Sequence, residues 1–166
     1  MKTSTIEIEV RRFRVFSSRP FEEVVSRVEA AIGHPDMSAF HGAVIAAKNL
    51  AELEAVVRPA IGSSDLMEFI RFDAGELLRK EQGGLAPRIL RLVVGNPLIM
   101  KEMAKIVPDA ASYAPVTLLI DERADGVHLS YDSIASLLAP YGNQAVLVVA
   151  RDLDAKLESL LIAAAW

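Results

Sequence analysis

Residues 116–131 read VTLLIDERADGVHLSY. Val116 to Ile120 and Val127 to Tyr131 are short, β-prone apolar runs, and Asp125-Gly126 between them is a tight-turn signal. The stretch predicts a β-hairpin. A hairpin commits the sheet that contains it to antiparallel pairing, at least at this point.

The segments on either side extend this reading. Upstream, Ile89 to Val94 is a strand that runs into Gly95-Asn96-Pro97. Asn96 suits the N-cap and Pro97 the first position of a helix whose buried stripe is Ile99, Met103 and Ile106, with Pro108 as the stop. Leu66 to Phe72 is a further strand with apolar residues on both faces, which predicts a central place in the sheet. Asp73 and Glu76 then stand at capping-box spacing for a short helix that Gly83-Gly84 breaks. Downstream, Asp132 or Ser133 caps a short helix through Leu138. A long helix follows with Val146, Val149, Leu153, Leu157, Leu160 and Leu161 on one face, and with Asp152 and Lys156 as an exposed pair one turn apart.

The N-terminal third is a strand and helices. Ile6, Ile8 and Val10 alternate with Glu7 and Glu9, and the parity flips at Phe13 and Val15, so a strand with a bulge at Arg11-Arg12 is expected. Phe21, Val24, Val25, Val28 and Ile32 have helical spacing before the stop at Gly33-His34-Pro35. Asp36 to Gly62 is helical in two pieces, with Asn49 and Glu52 as a capping pair and Pro59 ending the second. The whole reads as one α+β domain: an N-terminal strand and helical block (1–65), a strand-rich core (66–132) and C-terminal helices (133–166).

Composition narrows the function. The 166 residues carry a net charge of −4, against the positive charge of most duplex-binding domains, so no nucleic-acid partner is expected. There is no cysteine, which removes disulfides, thiolate metal sites and cysteine nucleophiles. No run approaches the roughly 20 apolar residues of a membrane span and no signal-peptide pattern opens the chain, so no membrane partner and a cytoplasmic location are expected. The three histidines, His34, His41 and His128, have no ligand spacing, and no metal or cofactor is expected.

Between Leu66 and Tyr131 the chain resembles a bacterial and archaeal family called domain of unknown function 302. The likeness rests on Val94-Gly95-Asn96-Pro97, Met103, Pro108, Pro115, Asp121-Glu122, Asp125-Gly126 and Tyr131. The resemblance implies a TATA-binding-protein-like α+β fold, with a curved, largely antiparallel sheet and helices packed on one side. It also implies a homodimer, but no particular activity. Where the family commonly has a histidine after the aspartate ending its second strand, this chain has Ala74 after Asp73. Residues 36–62 read as a helical insertion relative to shorter members.

The candidate site residues are Arg71, Asp73, Asn96, Tyr113, Tyr131 and Tyr141. Arg71 and Asp73 share a strand face, where a guanidinium beside a carboxylate suits a polar ligand; the plain alternative is that Asp73 caps the next helix. Asn96 opens a helix whose free N–H groups favour anions, and it is equally a simple cap. The tyrosines join an apolar ring to a polar tip, which suits pocket mouths and loop ties alike. The uncharged end, Leu160 to Trp166, is either buried in the domain or covered by a second subunit, and the second is the preferred reading. These features read as a non-catalytic homodimeric module that binds a small ligand or a partner. Two alternatives stand beside it: an enzyme on a small acidic or carbonyl compound with Asp73 as base, and a structural assembly protein.

Overall fold

The computed structural model describes residues 3–84 and 86–166. The elements run β1 (Arg12–Ser17), α1 (Phe21–Ala31), α2 (Met37–Ala46), α3 (Leu50–Val57), β2 (Met67–Asp73), α4 (Ala74–Gln82), β3 (Ile89–Gly95), α5 (Pro97–Ala104), β4 (Val116–Arg123), β5 (Gly126–Asp132), α6 (Ile134–Leu138) and α7 (Gln144–Ala165). The strands form one sheet in the order β1-β5-β4-β3-β2, and every neighbouring pair is antiparallel. The fold is therefore the expected α+β arrangement on an antiparallel sheet. Among the described residues, no helix is long and apolar enough to cross a membrane.

The β4–β5 hairpin forms, with its loop one residue earlier than Asp125-Gly126. Arg123 pairs with Gly126, leaving Ala124 and Asp125 as the two loop residues. Gly126 has φ +135°, and a Cβ there would press into the Phe16 ring and the Ser17 carbonyl of β1. Glycine thus serves both the turn and the packing of the next strand.

Alternation along the strands separates two unlike faces. Leu90, Leu92 and Val94 of β3, Val116, Leu118 and Ile120 of β4, and Val127, Leu129 and Tyr131 of β5 are all buried. They join one core with Val24 and Val28 of α1 and with Leu153, Leu157 and Leu161 of α7. The opposite face is open. Across it the register aligns Phe72, Arg91, Leu119, Ser130 and Arg14, one from each strand. Phe16, Ile70 and Phe72 on this face are 46%, 58% and 46% exposed. A second, smaller cluster of Phe40, Val57 and Met67 fastens α2 and α3 to the start of β2.

Four expectations are corrected. Ile6 to Val10 is not a strand: β1 begins at Arg12, and Ile6 and Val10 stand in solvent. The cause is the partner, because β5 ends at Asp132, opposite Arg12, and the chain turns into α6. The Arg11 amide and carbonyl are instead taken by Ser136 Oγ and the Ser133 amide. β2 is an edge strand and not a central one; the apolar residues on its second face stay exposed. At the C-terminus, Leu160 and Leu161 are buried by the chain's own core, and Ile162, Ala163 and Trp166 are exposed. Lys156 pairs with Asp65, 3.0 Å away, and not with Asp152.

The helix starts follow local chemistry. Asp36, Asn49, Asp73, Asn96, Ser133 and Asn143 each accept a hydrogen bond from an amide in the first turn of the helix that follows. Between α1 and β2 the backbones approach closely. Gly33 donates to the Leu66 carbonyl and accepts from Glu68, and a Cβ on Gly33 would collide with the Ala60 carbonyl oxygen. Gly42, inside α2, has nothing near its missing Cβ. Gly33→Ala is expected to cost about 1–3 kcal/mol through overpacking, whereas Gly42→Ala leaves stability unchanged or raises it by about 0.5–1 kcal/mol. Urea denaturation of the two variants checks the contrast.

Candidate functional site

Arg71 and Asp73 pair across the sheet with Leu92 and Leu90, so they share the helix-covered face. They lie on the edge strand, where α1 does not seal that face against solvent. The result is a groove of about 800 Å³ between α1 and the β2–α4–β3 edge. Phe21 and Val25 of α1, with Ile89 and Leu90 of β3, supply its apolar lining. Arg71, Arg79 and Arg88 bring three guanidinium groups to it.

Two ion pairs cross the groove from α1. Glu22 and Glu29 stand seven residues apart, two helical turns, and so lie on one stripe of the helix. Glu29 Oε1 lies 2.6 Å from Arg71 Nη2, and Glu22 bonds Arg88. Arg88 also holds Glu122 of β4 in a two-point pair, 2.8 Å from Nε and 2.5 Å from Nη2, and its guanidinium lies 4.8 Å from the centre of the Phe21 ring. The hydrogen bonds that Arg88 donates lower the Glu122 pKa, and those that Arg71 donates to Glu68 raise that of Arg71. Every cation in the groove therefore already has a carboxylate partner.

Asp73 is committed in the same way. Its Oδ1 accepts the Glu76 amide at 2.9 Å and its Oδ2 accepts from Arg79 at 2.7 Å. The bond from Arg79 is the largest cause of a lowered pKa, which leaves a weak base at neutral pH. The cap predicted for Asp73 is its observed role, and Asp73 also lines the groove.

The other candidates lie elsewhere. Asn96 is buried, its Oδ1 accepting from Leu98 and its Nδ2 donating to the Asp65 carbonyl, so both ends of its amide are used. Tyr131 is buried, and its hydroxyl donates to the Asp154 carbonyl at 3.2 Å; burial pushes its pKa up. Tyr141 donates to Asp109 at 2.7 Å, which raises its pKa. Tyr113 and Tyr131 border a separate cleft at the end of β4 and β5. The structure thus brings Arg71 and Asp73 to one groove, places two tyrosines at another, and gives Asn96 and Tyr141 to neither. Among the described residues, no group of three His, Asp or Glu side chains is arranged to hold a metal ion.

Sequence reading passed over Arg79, Arg88, Glu22 and Glu29. The seven-residue spacing of the α1 glutamates was a usable signal. Nothing local connects Arg88 with Glu122, which β3–β4 pairing brings together from 34 residues apart.

The lowered pKa values set an acid dependence. Asp73 and Glu122 bind protons less readily in the fold than at their ordinary values of 3.8 and 4.5. Their stabilisation is thus complete above those values and is lost as pH falls through the lowered ones. Glu122→Gln is expected to flatten the fall in melting temperature between about pH 5 and 3, measured by calorimetry at low salt. Arg88→Gln removes two partly exposed pairs and is expected to cost on the order of 0.5–1 kcal/mol, with faster hydrogen exchange in the first turns of α1.

The comparisons with known proteins bear on the whole chain. Residues 43–164 match the model of the family described as domain of unknown function DUF302, a span that reaches back into the 36–62 helical segment. The crystal structure of an uncharacterized conserved DUF302 protein from Bacillus stearothermophilus superposes with a TM-score of 0.64 at 13% identity, over 92% of this chain and 97% of that one. At that identity the likeness is one of fold. No curated protein matches the sequence. With the family model matched over well more than half its length, the chain belongs to the DUF302 family.

Proposed function

We propose that this protein is a non-catalytic homodimeric module that binds a small organic anion in the α1–β2 groove. The supporting observation is the groove itself: about 800 Å³, apolar along Phe21, Val25 and Leu90, with Arg71, Arg79 and Arg88 around it. That volume falls within the range of small-molecule sites. An incoming carboxylate or phosphate exchanges with Glu29 and Glu122 for Arg71 and Arg88, while its apolar part covers the floor. The exchange keeps each guanidinium paired, so the ligand replaces partners and does not have to create them. The binding reading is preferred to an enzyme with Asp73 as base, because both oxygens of that carboxylate are occupied.

The dimer part of the reading rests on β2. One edge of this strand has no neighbour in the sheet, and Ile70 and Phe72 beside it are about half exposed. Pairing with a second β2 across a two-fold axis would satisfy that edge and wall the open side of the groove. The antiparallel sheet with α1 and α7 on one face also suits a TATA-binding-protein-like fold, and the lack of cysteine suits the cytoplasm.

Protein purified without added ligand is expected to carry a small-molecule mass in native mass spectrometry, and Arg71→Ala with Arg88→Ala to lose it. If nothing is retained and a panel of small carboxylates and phosphates gives no ligand-observed NMR response, the binding reading fails. Light scattering is expected to give twice the chain mass for the wild type and a single chain mass for Ile70→Glu with Phe72→Glu. A monomeric wild type at about 100 µM, well above the Kd of an ordinary stable dimer, would remove the dimer.

A further inference from the structure

The open face of the sheet holds a second cleft that the groove reading does not use. The β4–β5 ladder runs from Arg123–Gly126 to Leu119–Ser130 and stops there. In the same register Leu118 would face Tyr131 and Thr117 would face Asp132. Instead Val116 to Leu118 pair only with β3, and Tyr131 and Asp132 only with β1. The strands part, leaving a cleft of about 360 Å³. Successive residues of an antiparallel strand turn their backbone polar groups to alternate sides. Each of β4 and β5 therefore directs a backbone N–H and C=O into the opening.

The side chains around this cleft are unlike those of the groove. Arg91, from β3, is exposed, and its guanidinium reaches only Thr117 Oγ1, at 3.5 Å. Among the described residues it has no carboxylate within ion-pair distance, whereas Arg12, Arg71, Arg79, Arg88 and Arg123 each have one. Arg14, in the same row of this face, likewise has no carboxylate within ion-pair distance among the described residues, but Arg91 is the one that borders the cleft. The one carboxylate bordering the cleft, Asp132, is neutralised by Arg12 through two bonds of 2.6 and 2.8 Å. Ser130 is buried, pairs with Leu119 and lines the cleft. Tyr113 and Leu137 add apolar wall.

We infer that this cleft is a binding site for a small planar carboxylate. Arg91 forms the two-point pair that a carboxylate matches in shape and charge. The Thr117 and Ser130 hydroxyls and a strand N–H complete the oxygen contacts. A flat hydrocarbon body lies against Leu119 and the Tyr113 ring. A volume of about 360 Å³ stands near the lower limit of small-molecule sites, which restricts the ligand to about one ring. One free guanidinium with apolar walls favours a singly charged organic acid over phosphate. The site shares no lining residue with the α1–β2 groove, so neither needs the other.

Benzoate is the probe, titrated into uniformly 15N-labelled wild-type protein and followed by amide shifts. Saturable shifts are expected at Arg91, Thr117, Leu119 and Ser130, with inorganic phosphate giving a response at least tenfold weaker. Arg91→Gln is expected to weaken benzoate binding at least tenfold while the rest of its spectrum stays unchanged. Thr117→Val is expected to weaken it severalfold, and Arg71→Ala to leave it unaltered. No shifts up to 10 mM, shifts confined to the α1–β2 groove, or unchanged affinity in Arg91→Gln would each overturn the assignment. A phosphate response equal to that of benzoate would overturn the ligand class. Loss of binding in Arg71→Ala with retention in Arg91→Gln would place benzoate in the groove and sink the cleft alone.

Discussion

Leu90, Leu92 and Val94, with Leu118, Ile120, Val127 and Leu129, leave water only because α1 and α7 lie across one face of the sheet. Burying a side chain of this size contributes roughly 1.5–3 kcal/mol. This one-sided burial therefore outweighs any single cap or ion pair in the molecule. It also dictates register, since a slip of one residue would turn each of these side chains into solvent. The pairing of Arg12 with Asp132 and the placing of Arg71 and Asp73 are consequences of that register.

Two kinds of surface follow from covering one face. Where the helix layer stops short of the sheet edge, the covered side opens into the α1–β2 groove, whose charges are paired across the opening. The ion pairs there add little stability individually, because their members are partly exposed. Their effect is positional: they hold three guanidinium groups at fixed places around an apolar floor. The uncovered side has a different character, with exposed Phe16, Ile70 and Phe72 and an arginine, Arg91, without an acidic partner. An antiparallel sheet tolerates such a face in water, because its backbone groups are satisfied within the ladder wherever the strands remain paired.

Buried polar groups at the sheet's end show how the layers are joined. Asp154 of α7 accepts from Ser133 Oγ and from the Ile134 and Ala135 amides, so a side chain of the long helix completes the start of α6. Tyr131 donates to the Asp154 carbonyl from the neighbouring strand. Strand, short helix and long helix meet at one network, and removal of the Asp154 carboxylate would strand three donors at once.

Local chemistry was legible in the sequence. The Asp125-Gly126 turn, the Asn96-Pro97 and Asp73 helix starts and the 3.6-residue stripe of α7 depend on residues within one or two turns of each other. Their cause therefore lies in the string itself, and the α+β class and the capping role of Asp73 followed from it. Pairing between distant segments was not legible. Ile6 to Val10 alternates as a strand should, yet stays outside the sheet, because β5 ends opposite Arg12. β2 is apolar on both faces, yet lies at the edge, because among the described residues no further strand pairs with it. Arg88 meets Glu122, and β4 parts from β5, only once the registers of three strands are set. A pattern of residues fixes which faces can be buried; the number of partners and the points where they end decide which of those faces are, and only the tertiary structure contains that count.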